Sequence, residues 1–317
     1  MLVWLVDFDG KIENLALMRL SAWHKARGDT ARLKKGAAYP ELFETPDKVY
    51  VSCIFRWNRR AALALAEAWG DRAEIGGSGV DAISQLSIPK TTPPDYGLYD
   101  QDRAIGFISR GCIRRCPWCI VPTKEGGLKR VSTAREIVGK YKEALFLDNN
   151  FLALDDFESD LDWLAFHDVK IDFNQGLDAR LVTESAAQYL VACKWKTKGG
   201  EKVRLALDSV GQKRAVEQAI NYLEYAGMKR HSIFAYCLIG HNGLESDVDR
   251  LMFLHGQGVR VFPMGFRDNE TGAQPATGWD LKLYKKYRRL IIRMPFAKSV
   301  WSDFRRDVAG EGKALPF

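Results

Sequence analysis

Apolar residues along the chain gather in short runs, and most runs are followed by a longer stretch in which they recur every three or four positions. Residues 2–8 predict a strand, and residues 13–27, with Leu17, Leu20 and Trp23 at helical spacing, predict a helix that stops at Gly28-Asp29. A second strand is expected over residues 48–55 and an Ala-rich helix over 58–69. A short strand at 74–79 runs into the turn Gly76-Gly77-Ser78-Gly79. The stretch Pro89-Lys-Thr-Thr-Pro-Pro94 breaks regular structure and reads as a linker. From Ala104 the alternation resumes, with strands expected at 104–109, 144–148, 169–173, 203–207, 232–239 and 259–263. Helices are expected to begin near Thr133, Asp156, Thr183, Gly211 and Ser246. Six strands separated by five helices call for an α/β fold with parallel pairing, in a barrel-like or an open doubly wound sheet. In either, functional loops lie at the C-terminal strand ends.

Length adds a domain division: 317 residues suggest about two domains. The pattern places a small α/β domain at 1–95, the repeating β/α region at 96–278 and a helical extension at 279–317. Hydrophobic residues at 46% and charged residues at 27% exclude a disordered or fibrous chain. No apolar run approaches the ~20 residues of a membrane span, and the N-terminus reads as a strand and turn, not a secretory signal. Six cysteines without such a signal suggest reduced thiols and a cytoplasmic protein.

Charge changes the picture at one place. Lys and Arg total 47 against 40 Asp and Glu, and residues 282–306 hold nine of the basic side chains with Asp303 as the only acid. At helical spacing Lys282, Lys285, Lys286, Arg289 and Arg293 share a face, with Leu283, Tyr287, Leu290 and Met294 roughly opposite. Such a face suits a nucleic-acid backbone or an anionic membrane. It equally suits a surface helix docked by its apolar stripe with its charges in solvent.

The densest chemistry is Ser109-Arg-Gly-Cys112-Ile-Arg-Arg-Cys116-Pro-Trp-Cys119, directly after the first strand of the β/α series. Thiols so close together suggest a metal or cluster site, and Arg110, Arg114 and Arg115 favour thiolates by proximity. A structural zinc site closes its shell with four Cys or His ligands. None of the five histidines (His24, His167, His231, His241, His255) lies near in sequence, and Cys53, Cys193 and Cys237 are isolated. Three ligands without an evident fourth fit a site with one open coordination position.

C-x3-C-x2-C on this loop, with Trp118 before the last cysteine, resembles the signature of radical S-adenosylmethionine (SAM) enzymes. The resemblance implies an incomplete (β/α)6 TIM-like barrel and a [4Fe–4S] cluster on Cys112, Cys116 and Cys119. It also implies SAM bound through its amino and carboxylate groups to the open iron. An external donor such as flavodoxin or ferredoxin would supply the electron, and the 5′-deoxyadenosyl radical would modify an unidentified substrate. The resemblance extends SAM contacts to Trp118, to Asp148-Asn149-Asn150 in place of the common Gly-Gly-Glu, and to Gln175, Asp178 and Arg180. It further reaches Asp208, Ser209, Ile239 and Gly240, while residues 265–269 face the substrate. Plainer local roles stand beside these: a helix-capping polar turn for 148–150, an Asp–Arg pair for Asp178 and Arg180, and an N-cap for Ser209. No catalytic residue is singled out. The N-terminal region resembles a truncated, flavodoxin-like cobalamin-binding domain, but D-x-H-x-x-G is absent, so histidine-ligated cobalamin is not expected. tRNA methylthiolation is disfavoured, because it requires a second three-cysteine cluster and only Cys53 is available. The alternative from another class is a non-catalytic iron–sulfur or zinc protein that binds nucleic acid through the basic helix.

Overall fold

The computed structural model describes residues 1–40, 44–83, 86–89, 91–197, 199–200, 202–268, 271–272 and 279–309. Linker residue Lys90, loop residue Asn269 and the boundary at 278 lie outside them. The chain forms two compact units. Met1–Ala104, Arg115–Gly126 and Asn269–Gly272 make unit 1, and Ile105–Arg114, Gly127–Asp268 and Ala273–Phe317 make unit 2.

Unit 1 contains β1 (Leu2–Asp7), α1 (Leu15–Lys25), β2 (Thr30–Lys35), β3 (Lys48–Ser52), α2 (Arg59–Trp69) and β4 (Ala73–Gly76). They form a parallel sheet in the order β2-β1-β3-β4. β1 is apolar without alternation because both its faces are covered. Trp4 and Val6 pack with Val49, Val51, Leu65 and Trp69, whereas Val3 and Leu5 pack with Leu17 and Leu20. β2 (Thr-Ala-Arg-Leu-Lys-Lys) was not expected from the sequence. It is an edge strand whose charged side chains discourage further strand pairing, so it carries no apolar run to read. Gly77 is obligatory in the turn after β4: its φ is +98°, and a Cβ there would stand 2.3 Å from the Cys53 carbonyl oxygen.

Segment 115–126 of unit 1 carries the short helix α3 (Val121–Lys124). β5 (Ala104–Gly106) begins on the last residue of the first part of unit 1, and the remaining elements belong to unit 2. They are β6 (Ser109–Arg110), β7 (Lys129–Arg130), α4 (Ala134–Val138), β8 (Glu143–Phe146), α5 (Phe157–Phe166), β9 (Lys170–Phe173), α6 (Glu184–Ala192) and β10 (Lys194–Trp195). After them come β11 (Arg204–Leu207), α7 (Lys213–Tyr225), β12 (Phe234–Ile239), α8 (Leu244–Gly256), β13 (Arg260–Gly265), α9 (Leu281–Arg293) and α10 (Lys298–Ala309). One sheet has the order β10-β9-β8-β5 and another β11-β12-β13. β8 is parallel to β9, β9 to β10, β11 to β12 and β12 to β13. Among the described residues one isolated parallel bridge, Leu177 to Leu205, links the two sheets, and the Leu177 N–H donates to the Arg204 carbonyl at 2.7 Å. The expected α/β class with parallel sheets is therefore present. β6 and β7, an antiparallel ribbon of two residue pairs, are additions that two-residue strands gave no pattern to predict.

The C-terminal extension packs within unit 2. Tyr284, Tyr287 and Ile291 are the buried face of α9, and Tyr287 meets Phe304 of α10 edge-on at 5.1 Å between ring centroids. Of the expected apolar stripe only Tyr287 is buried; Leu283 and Leu290 are half-buried and Met294 is exposed. The buried face is the one that meets β13 and α10, and its two tyrosine rings bury more apolar surface than the flanking leucines. Lys282, Lys285, Lys286, Arg289 and Arg293 are all exposed. Among the described residues no helix is long and apolar enough to cross a membrane.

Candidate cysteine-loop site

The cysteine loop leaves β6 at a point fixed by a neighbouring strand. Asp148, just past β8, accepts hydrogen bonds from the N–H groups of Ile108 (3.1 Å) and Ser109 (2.5 Å) and from the Ser109 hydroxyl (2.7 Å). Burial pushes its carboxyl up to about 6 even though these three donors pull the other way. The carboxylate expected to meet a cofactor thus clamps the root of the loop. Asn150, also buried, directs its side-chain amide at the Cys112 sulfur at 3.4 Å, and its Oδ1 is buried without a hydrogen-bond partner. The Arg114 N–H points at the same sulfur at 3.3 Å. Asn149 is half-buried between these two residues in sequence.

Further along, the Cys119 N–H closes a turn on the Cys116 carbonyl (3.0 Å), and the Val121 N–H points at the Cys119 sulfur at 3.5 Å. Cys112, Cys116 and Trp118 are half-buried and Cys119 is exposed. The other three cysteines are of a different kind. Cys53, Cys193 and Cys237 are buried, and burial pushes each thiol up to about 12, which keeps them protonated and inert. The fold therefore sorts six cysteines into three accessible ones on one loop and three enclosed ones scattered in the cores. No family model and no curated protein matches the chain. Among the described residues, no three His, Cys, Asp or Glu side chains are gathered closely enough to hold a metal ion. The fit of a cluster thus rests on donor chemistry: three accessible thiols within eight residues, with N–H groups aimed at two of the sulfurs.

Around the strand ends of unit 2, Asp178 accepts from Arg114 Nε (3.0 Å) and from Arg180 Nε (2.7 Å) and Nη2 (2.9 Å). Burial raises its carboxyl, but the two guanidinium groups outweigh that and hold it below the usual value. Gln175 stands exposed on the same loop. Asp208, just past β11, has a buried Oδ1 without a partner, and burial pushes its carboxyl up. Ser209 forms a capping box with Gln212, whose side chain accepts from the N–H groups of Asp208 and Ser209. The backbone edges at 239–240 are already engaged. The Ile239 carbonyl accepts from the Phe266 N–H (2.8 Å), and the Gly240 N–H donates to Asp247 (2.5 Å). A cleft of about 510 Å³ beside them is lined by Val210, Asn242, Gly243, Leu244, Glu245, Ser246 and Asp249.

Sequence reasoning missed the pair beneath this turn. Asp247 and Arg250 are fully buried and joined at 2.5 Å. Arg250 Nη1 also donates to the carbonyls of Leu207 (3.1 Å) and Leu238 (2.6 Å), tying the ends of β11 and β12 together. Asp247 Oδ2 accepts from the Trp279 indole N–H as well (2.9 Å). An i,i+3 Asp–Arg pair reads as a solvated surface contact. The available signal was its position among Val248, Leu251 and Leu254 on the face that packs against the sheet.

Proposed function

We propose that this chain is a radical SAM enzyme, with unit 2 forming an incomplete (β/α)6 barrel and unit 1 a truncated flavodoxin-like domain. The observation that carries the reading is the sorting of the cysteines: the C-x3-C-x2-C thiols are the accessible ones, and the other three are enclosed and protonated. The sequential order of parallel strands, bridged at Leu177–Leu205, supports the barrel.

Cys112, Cys116 and Cys119 would hold a [4Fe–4S] cluster, which would supply one-electron cleavage of SAM to methionine and a 5′-deoxyadenosyl radical with an external flavodoxin or ferredoxin as reductant. The chain's own residues prepare that chemistry. Asp148 holds the loop root at Ile108 and Ser109. The N–H groups of Arg114 and Val121 and the Asn150 amide offset thiolate charge at Cys112 and Cys119, as outer hydrogen bonds do at metal sites. Asn150 Oδ1 and Asp208 Oδ1 are buried acceptors that need donors, and the ammonium and ribose hydroxyl groups of SAM are donors. Arg114 and Arg180 hold Asp178 as a carboxylate. Without D-x-H-x-x-G in the sequence the reading includes no histidine-ligated cobalamin, and a reducing, cytoplasmic compartment suits the free thiols.

Anaerobic reconstitution with iron and sulfide tests the reading. A brown protein that releases 5′-deoxyadenosine on reduction with SAM is the expected result. Cys116→Ala should lose iron and activity, and Cys193→Ala should keep both. A colourless, zinc-loaded protein would overturn the proposal and leave a non-catalytic metal module.

A further inference from the structure

On the outside of unit 2, α9 turns a row of cations to solvent. Lys282, Lys285, Arg289 and Arg293 are exposed and, among the described residues, meet no carboxylate, whereas Lys286 is paired with Asp307 at 2.8 Å. The four unpaired side chains follow each other at three- and four-residue intervals, where like charges repel. The opposite face is fully used: Tyr284, Tyr287 and Ile291 are buried, with Tyr287 and Trp279 against Phe304 of α10.

We propose that this row docks on the phosphates of duplex DNA. The row spans eleven residue steps, or about 16 Å at 1.5 Å per residue. A strand of B-form duplex presents a phosphate about every 3.4 Å of axis, so about five phosphates face four cations. An anionic membrane fits less well, because a surface-lying helix must also insert an apolar face and that face of α9 is occupied. A single strand also fits less well, because its binders interleave cations with exposed aromatic rings for base stacking and the tyrosines of α9 are buried. The contact would be sequence-neutral, since only backbone charge is met. It would position a polynucleotide or a protein bound to one, and it holds whether or not the cysteine loop carries a cluster.

The test is fluorescence anisotropy of the full chain with a labelled 24-base-pair DNA duplex across a salt series. Four phosphate contacts predict a log–log slope of about −3.6, or about a 150-fold loss of affinity between 50 and 200 mM salt. The triple variant Lys285→Gln/Arg289→Gln/Arg293→Gln should reduce that loss to about 3.5-fold. A control with equivalent chemistry in unit 1, Arg59→Gln/Arg60→Gln, should keep the parent slope; circular dichroism confirms folding of both. The proposal is overturned by no duplex binding or by an unchanged slope in the triple variant. Equal or tighter binding to the single strand, or to phosphatidylserine vesicles, overturns it too.

Discussion

Replacing Arg250 by Met isolates the cost of the buried pair that ties β11 and β12. Both side chains of the pair are fully enclosed. The substitution therefore leaves Asp247 as an unmatched interior carboxylate and removes the donor from the Leu207 and Leu238 carbonyls. Breaking a buried pair from one side costs about 3–5 kcal/mol. With a urea m-value of about 2 kcal/mol/M, that is a midpoint lowered by about 1.5–2.5 M. The double variant Asp247→Asn/Arg250→Met removes the stranded charge yet keeps an acceptor for Gly240 and Trp279. It should recover at least about 1.5 kcal/mol relative to Arg250→Met, a coupling of the size seen for residues in direct contact. The single variant should also recover stability on acidification. Burial already raises the Asp247 carboxyl, so the folded state takes up a proton before the unfolded chain does. Urea melts followed by tryptophan fluorescence at two pH values decide the matter. If the double variant is no more stable than Arg250→Met, or acid gives no recovery, the stranded carboxylate is not the source of the loss.

Two further outcomes follow from the cysteine loop and its anchor. Asp148, raised from 3.8 to about 6 by burial, holds its proton in the folded state over a range where the unfolded chain has lost it. Its contribution should therefore be largest below pH 3.8 and fall by about 2.4 kcal/mol between pH 4 and pH 7; unfolding melts at pH 4 to 7 should show Asp148→Asn with a flatter profile, and equal profiles would refute the assignment. Iodoacetamide at pH 8 should modify Cys112, Cys116 and Cys119 in the folded apo-protein, with Cys53, Cys193 and Cys237 reacting only in denaturant; peptide mapping that finds an enclosed cysteine labelled first would reverse the ordering.

The strands of unit 2 were legible because interior parallel strands are apolar on both faces, so runs such as Ala144–Phe146 and Cys237–Ile239 stand out from their polar connections. β2 was illegible for the opposite reason: an edge strand needs its charges. The cysteine spacing could be read directly, since it is local. What those cysteines leave behind could not: that Cys53, Cys193 and Cys237 are enclosed depends on packing between distant segments. Asp148 shows the same limit. A carboxylate after a strand reads as available for a ligand, but its partners, Ile108 and Ser109, sit forty residues away in sequence. The buried face of α9, Tyr284, Tyr287 and Ile291, lies directly opposite its basic face; the expected stripe followed Leu283, Leu290 and Met294 and so lay to one side of it.

The ribbon of β6 and β7 joins Ser109 to Arg130 and Arg110 to Lys129, and Arg130 is pinned in turn by Asp160 at 2.7 Å. Residues 111–128 are thereby held at both ends like a purse drawn by its string. For a closed ring of that length, most of the entropy of bringing the ends together has been spent during folding. Breaking the ribbon would hand that entropy back to the chain, whereas a substitution inside the ring would leave the closure intact.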